Sequence, residues 1–267
     1  MQRSLYCMKE HSYLPSFPEK TVRDIAESIA TAVGDEIVED VQSKRLVTQN
    51  GTSGRIWDII HTNLFNVFKD STITARPSRR GIWEFLPFFD KQTGVLYCCM
   101  KEKNFKRLTK METSKRNSHY LAAIAHSFNS DLPDFEQQLC LFPREYSFDE
   151  RAISQVIGQI MSDLGIPASI VQRHGVILFQ NESGQLVSLR CCAINNSFKI
   201  VDSQNWSEFI PVMDSVVVET NLDPHDPHNN PTQHLSLSKK ATDRIGQKQS
   251  ITPLSNESDS IKKNDNK

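Results

Sequence analysis

No stretch of this 267-residue sequence holds the roughly 18 to 20 consecutive apolar residues that a membrane-spanning helix needs; the apolar runs are short, such as Val176 to Phe179 and Val216 to Val218. The amino-terminal residues carry Arg3, Lys9 and Glu10 among Tyr, Pro and Ser, without a continuous apolar region or a small-residue cleavage site. Secretion is therefore not expected, and a soluble cytoplasmic protein with no membrane partner is. Cysteine is present as Cys7, Cys98, Cys99, Cys140, Cys191 and Cys192, but never as Cys-x-x-Cys, which removes the usual zinc-ribbon and thioredoxin patterns. The neighbouring pairs lie in strand-like segments and point to opposite faces, so buried reduced thiols are expected. Nor is there a Gly-x-Gly-x-x-Gly, a Walker A lysine or a Gly-x-Ser-x-Gly turn, the local signatures of common nucleotide-binding and hydrolase folds. Excess charge is missing too: 31 Lys plus Arg against 32 Asp plus Glu excludes both a uniformly basic DNA-packaging protein and an acidic nucleic-acid mimic.

What is present is amphipathic. Ser16 to Glu19 has capping-box spacing, and Val22, Ile25, Ala26, Ile29 and Val33 follow at helical intervals, with acidic residues dominating positions 19–42. A loop at 49–54 precedes a second helix over 55–68. The period then becomes extended, and strands at Thr72 to Arg76, Ile82 to Phe89 and Val95 to Met100 make a three-strand meander. Residues 102–111 return to a helix, apolar through Phe105, Leu108 and Met111 and cationic through Lys103, Lys106, Arg107 and Lys110, and another short helix spans Tyr120 to Phe128.

The proline-containing stretch 131–146 reads as a connection. After it, Ser147 to Glu150 again has capping-box spacing before the apolar stripe Ile153, Val156, Ile157, Ile160, Met161 and Leu164, which Gly165 and Pro167 terminate. Strands at 169–180, 186–194, 198–201 and 212–219 follow. From residue 221 to 267 there is no aromatic residue, and too little apolar area to offset chain entropy, so this tail is expected to be disordered. The expected fold is α+β. An N-terminal unit (1–130) packs helices on a small antiparallel meander, the connection 131–146 follows, a second unit (147–220) joins a helix to a second antiparallel sheet, and 221–267 is the tail.

Charge is segregated even though it sums to almost nothing. Residues 69–116 hold twelve Lys and Arg against five Asp and Glu, a net of +7 in a chain of net −1. A helix with one cationic face beside the loop Arg76-Pro77-Ser78-Arg79-Arg80 suits a phosphate backbone, which is bound through charge and counterion release. The leading expectation is a non-enzymatic protein that binds nucleic acid through Arg76, Arg79, Arg80, Lys103, Lys106, Arg107 and Lys110, with no cofactor. Docking of these cations on the acidic stretches 19–42 or 131–150 of the same chain, or on an acidic protein partner in the manner of an inhibitor or antitoxin, is the competing expectation. Histidines offer little: His119 and His126 lie about 10 Å apart on one helix, too far for one metal, and His225 and His228 fall in the tail.

Two resemblances add to this. The order helix, three strands, basic helix resembles the core of the PD-(D/E)XK nucleases, which implies a metal-dependent nuclease with Mg2+ held by Glu84 and Asp90 and with Lys101 orienting the attacking water. The sequence departs from that family at Cys99, which stands where the second acid of acid-x-lysine belongs. Separately, Gly81 to Asp90, Thr93 to Tyr97 and Met100 to Phe105 resemble a segment of uncharacterised proteins of prophages and mobile elements in Gram-positive bacteria. That implies a setting of phage defence or host conflict and transfers no catalytic residue.

Overall fold

The structure, a computed structural model, describes residues 12–45, 48, 50–134 and 149–212. Helix α1 (Glu19–Val33) buries the apolar stripe read from the sequence. Its cap differs from expectation, because Pro18 occupies the N-cap position and no side chain caps it, so Ser16 does not act as the capping residue. The chain turns at Gly34 into α2 (Asp35–Ser43), so the acidic stretch 19–42 forms two helices. Helix α3 (Thr52–Phe68) begins inside the expected loop and directs Ile60, Leu64 and Phe68 inward.

The expected meander keeps its outer strands and loses its middle one. Strands β1 (Ile73–Ala75), β4 (Phe88–Asp90) and β5 (Val95–Lys101) form it, while β2 (Ser78–Arg80) and β3 (Trp83–Phe85) pair separately as a two-stranded ribbon. Pro77 and Pro87 bracket the ribbon, and neither can donate a ladder hydrogen bond, which is why the extended run 82–89 breaks where it does. Helices α4 (Glu102–Thr109), α5 (Thr113–Asn117), α6 (Tyr120–Phe128) and α7 (Glu150–Leu164) follow. Ser147, the expected cap of α7, lies outside the described residues; the carboxylate of Asp149 accepts from the N–H groups of Arg151 and Ala152 instead. Gly165 ends the helix at φ 68°, as its position predicts. Strands β6 (Arg173–Glu182), β7 (Gln185–Ile194) and β8 (Ile200–Asn205) complete the elements considered below.

The α+β class holds, but the two expected sheets are one. The strand order is β1-β4-β5-β6-β7-β8, antiparallel throughout except at β5–β6, which pair in parallel from Val95↔Arg173 to Lys101↔Phe179. Both strands are apolar on both faces, and each face needs a cover, so neither the stretch before residue 130 nor the stretch after 147 closes a core alone. Helices α1 and α3 cover one face with Val95, Tyr97, Ile177, Phe179, Leu189 and Cys191. Helices α4, α6 and α7 cover the other with Leu96, Cys98, Met100, Val176, Leu178 and Cys192. The described residues thus make three layers, and the division into units at 131–146 does not separate them. Residues 135–148, all but Val212 of the strand expected at 212–219, and the tail 221–267 lie outside the described residues.

The two ends of the sheet differ. At the end where β6 begins and β7 finishes, the buried Asn129 donates to the carbonyls of His174 and Ile194 at 2.9 and 2.8 Å and accepts from the His174 N–H at 2.9 Å. Asn195 likewise accepts from the N–H groups of Ser197 and Lys199 and donates to Pro133. These amides satisfy backbone groups that the ladder leaves over. The opposite end, where β5 and β6 finish, carries charge. As expected, the adjacent cysteines alternate: Cys98 and Cys192 face one layer, Cys99 and Cys191 the other, all free thiols. Burial pushes all four thiols up, Cys99 to about 12, so none is a ready nucleophile. Cys7 and Cys140 lie outside the described residues.

Two stability outcomes follow. A Cβ on Gly175 would stand 2.7 Å from Cε1 of Tyr97. The Tyr97 ring is held by Phe17 and Phe88 at 4.7 and 5.5 Å and has no room to move. Gly175→Ala is expected to lower unfolding free energy by about 1–3 kcal/mol in urea titrations. His174 is fully buried, neither ring nitrogen has a hydrogen-bond partner among the described residues, and burial lowers its pKa from 6.5 to about 3. Unfolding therefore takes up a proton between these values, so stability is full above about pH 6.5 and falls as the pH drops toward 3. His174→Phe should remove from that slope up to about 1.4 kcal/mol per pH unit, measured by unfolding at several pH values.

Candidate nucleic-acid interface

Helix α4 starts directly where β5 ends. Phe105 and Leu108 point into the core, Phe105 stacking on Phe198 at 6.3 Å, and this fixes the rotation of the helix. At 100° per residue, Lys103, Lys106, Arg107 and Lys110 then fall on the outer side. Beside them β6 runs on past the end of β5, still paired with β7, with a β-bulge at Gln180/Asn181, before the tight turn at Ser183 and Gly184. Between helix and strand end lies a cavity of about 740 Å³ lined by Lys101, Lys103, Lys106, Arg107 and Lys110, with Glu182 the single acidic lining residue. Lys101 is half-buried, and burial, which disfavours the charged ammonium, lowers its pKa. Lys106 pairs with Glu102 at 3.0 Å, and the same carboxylate holds Arg190 of β7 at 2.9 Å. Lys101, Lys103, Arg107 and Lys110 form no ion pair with any described residue.

The described acidic residues of 19–42 and 131–150 form no ion pair with these cations. Helices α1 and α2 lie on the far side of the sheet, where Asp40 is engaged by Lys44 and Arg55, and Glu36 by Asn63. Asp131 and Asp134 pair with Arg173 and Lys199, and Glu150 with His126.

The ribbon projects from the same end of the sheet as the cavity, because it leaves β1 after Ala75, and β1 runs parallel to β5. Its base is anchored: the buried Ser78 hydroxyl donates to Asp163 of α7 at 2.6 Å, and Phe85 packs on Tyr120 at 4.5 Å. Arg80 lies over the Tyr120 ring at 5.3 Å. Arg79 points the other way and pairs with Glu84 at 3.0 Å, and Arg76 is exposed where the ribbon begins. His119 caps α6 by accepting from the Leu121 N–H. Its burial, with the charges of Arg80 and Arg107 adding to it, lowers its pKa to about 4, so ribbon and α4 present their cations within electrostatic reach of one imidazole. Sequence reasoning found the cations and weighed His119 only as a metal ligand; it did not find the polar wall Asn104, Gln180 and Asn181, or the ribbon tip. The tip had one legible signal, Gly81 between two extended runs.

The three nuclease candidates are not brought together. Glu84 is on the ribbon, paired with Arg79. Asp90 sits at the amide-closed end, opposite Val95, whereas Lys101 ends the same strand six residues on, about 20 Å away. The Asp90 carboxylate is a turn brace: it accepts from the Gln92 N–H at 3.1 Å and from the hydroxyls of Thr93 at 2.7 Å and Thr72 at 3.4 Å. Among the described residues no group of three or more His, Cys, Asp or Glu could hold a metal ion. Asp90→Ala is expected to lower stability by about 1–3 kcal/mol whether or not Mg2+ is present, read as thermal midpoints with and without the ion.

No described helix is long and apolar enough to cross a membrane. No curated protein and no solved structure matches the chain. The model of a family of unknown function (DUF5986) matches residues 14–255, most of the chain, and the protein belongs to that family.

Proposed function

We propose that this protein binds nucleic acid through the phosphate backbone and does no chemistry on it. The observation that carries the reading is the cavity of about 740 Å³ with five cationic lining residues against one acidic residue, Glu182. A concave, cation-lined surface holding uncompensated charge attracts a polyanion, and each phosphate engaged releases condensed counterions. Lys101, Lys103, Lys106, Arg107 and Lys110 are the contacts in the cavity, and Arg80 extends them along the ribbon. Arg76 and Arg79 are peripheral, the second already paired with Glu84. The dispersal of Glu84, Asp90 and Lys101 favours binding over metal-dependent hydrolysis. A mobile-element or phage-defence setting, which the resemblance of residues 81–105 implies, belongs to the same proposal.

Fluorescence anisotropy with labelled DNA and RNA tests it. With about four or five phosphates engaged, affinity should fall on the order of a hundredfold to five-hundredfold between about 50 and 200 mM salt and be unchanged by EDTA. Changing Lys103, Arg107 and Lys110 together to Gln should remove most of the binding with little change in the thermal midpoint, since all three are exposed and none pairs with a described carboxylate. Absence of binding by the unaltered protein at low salt would overturn the reading and turn attention to an acidic protein partner.

A further inference from the structure

Among the described residues the ribbon tip carries two adjacent large apolar side chains that both stand in solvent. Ile82 is 91% and Trp83 is 68% accessible, although the ribbon beneath them is fixed to α6 and α7. The turn explains the backbone but not the side chains. Register Arg80↔Trp83 leaves a two-residue turn, Gly81-Ile82, and Gly81 at φ 58° supplies the left-handed first position that such hairpins require. Nothing in the turn asks for a β-branched residue at its second position or an indole beside it, and polar residues would avoid the cost of wetting them.

Orientation gives the tip a role. Residues directly opposite in an antiparallel pair share a face, so Trp83 lies on the same side of the ribbon as Arg80, Ser78 and Phe85, the side turned toward Tyr120 and α7. The Trp83 ring makes no stacking contact with any described aromatic residue. An open indole thus stands beside Arg80, whose charge, like that of Arg107, acts on His119. Cations with an aromatic plane set beside them are the two parts of a single-strand site, in which phosphates are held by charge and a base stacks on the ring.

Resting on the nucleic-acid reading above, we infer that Trp83 is a base-stacking residue and that the ribbon makes the site select nucleic acid with unpaired bases. A paired base offers its faces only to its neighbours in the helix, whereas an unpaired one can lie on the indole while its phosphates meet Arg80 and Arg107.

The test uses the full chain and four probes: a labelled oligothymidine of about 20 nucleotides, a duplex of the same length, an abasic backbone of that length, and vesicles of phosphatidylserine. The unaltered protein should bind the oligothymidine about tenfold or more tighter than the abasic backbone or the duplex, with quenching of tryptophan fluorescence. Trp83→Ala should lose that preference and keep the weaker, salt-sensitive binding common to all three nucleic-acid probes. Trp83→Phe should restore most of the preference with the quenching gone, since Trp57 and Trp206 lie in or against the core away from the tip. Equal affinity for oligothymidine and abasic backbone, or a Trp83→Ala variant as selective as the unaltered chain, overturns the stacking role and leaves backbone binding standing. Binding to no nucleic-acid probe overturns both, and a tryptophan blue shift on vesicles in that case assigns the tip to a membrane surface.

Discussion

Parallel pairing of β5 with β6 is the constraint on which the rest depends. Two parallel neighbours cannot be joined by a tight turn, so the chain from Glu102 to Gln172 must cross over the sheet before it returns. That crossing contains α4, α6 and α7, and it supplies the apolar cover that one face of these two strands requires. The other face is covered by α1 and α3 from earlier in the sequence. Because α4 is the first element of the crossover, it starts at the carboxyl ends of the parallel pair, and the rotation set by Phe105 and Leu108 turns its cations outward there.

Polar groups are distributed along the sheet to match. Asn129 and Asn195 close one end by satisfying backbone donors and acceptors in the dry interior. At the other end the strands run out into the bulge of β6, the start of α4 and the ribbon, where no comparable amide brace closes the opening. Glu102, only slightly exposed, ties the base of α4 to Arg190 of β7, and Lys103, Arg107 and Lys110 pair with no carboxylate among the described residues. The sheet therefore separates acid from base: α1 and α2 carry carboxylates on one side, α4 and the ribbon carry cations on the other, and the net charge of −1 conceals the division.

The ribbon shows how a small interruption changes what a surface can do. A continuous middle strand would have buried residues 82–85 in the meander or spread them over its face. With Pro77 and Pro87 at its base, the same stretch leaves the sheet, and anchoring by Ser78 and Phe85 keeps it from collapsing onto the body. The exposed indole is a consequence of where the ladder fails.

The sequence by itself determined the elements that rest on local periodicity and capping. Helices α1, α3, α4, α6 and α7 are legible because apolar residues three and four apart define one face, and β5 to β7 because β-formers alternate with turn residues between them. The cations of the interface were legible for the same reason: Lys103, Lys106, Arg107 and Lys110 share an arc that backbone geometry alone fixes. Only the tertiary structure decided that the two halves share one sheet, since strand partners 78 residues apart, such as Val95 and Arg173, leave no local mark. It alone separated Glu84, Asp90 and Lys101, because spacing along a chain does not tell which end of a sheet a residue occupies. It alone brought Arg80 and His119 to the Tyr120 ring, because that meeting depends on the packing of the ribbon against α6, and long-range packing is set by the whole core rather than by any one segment.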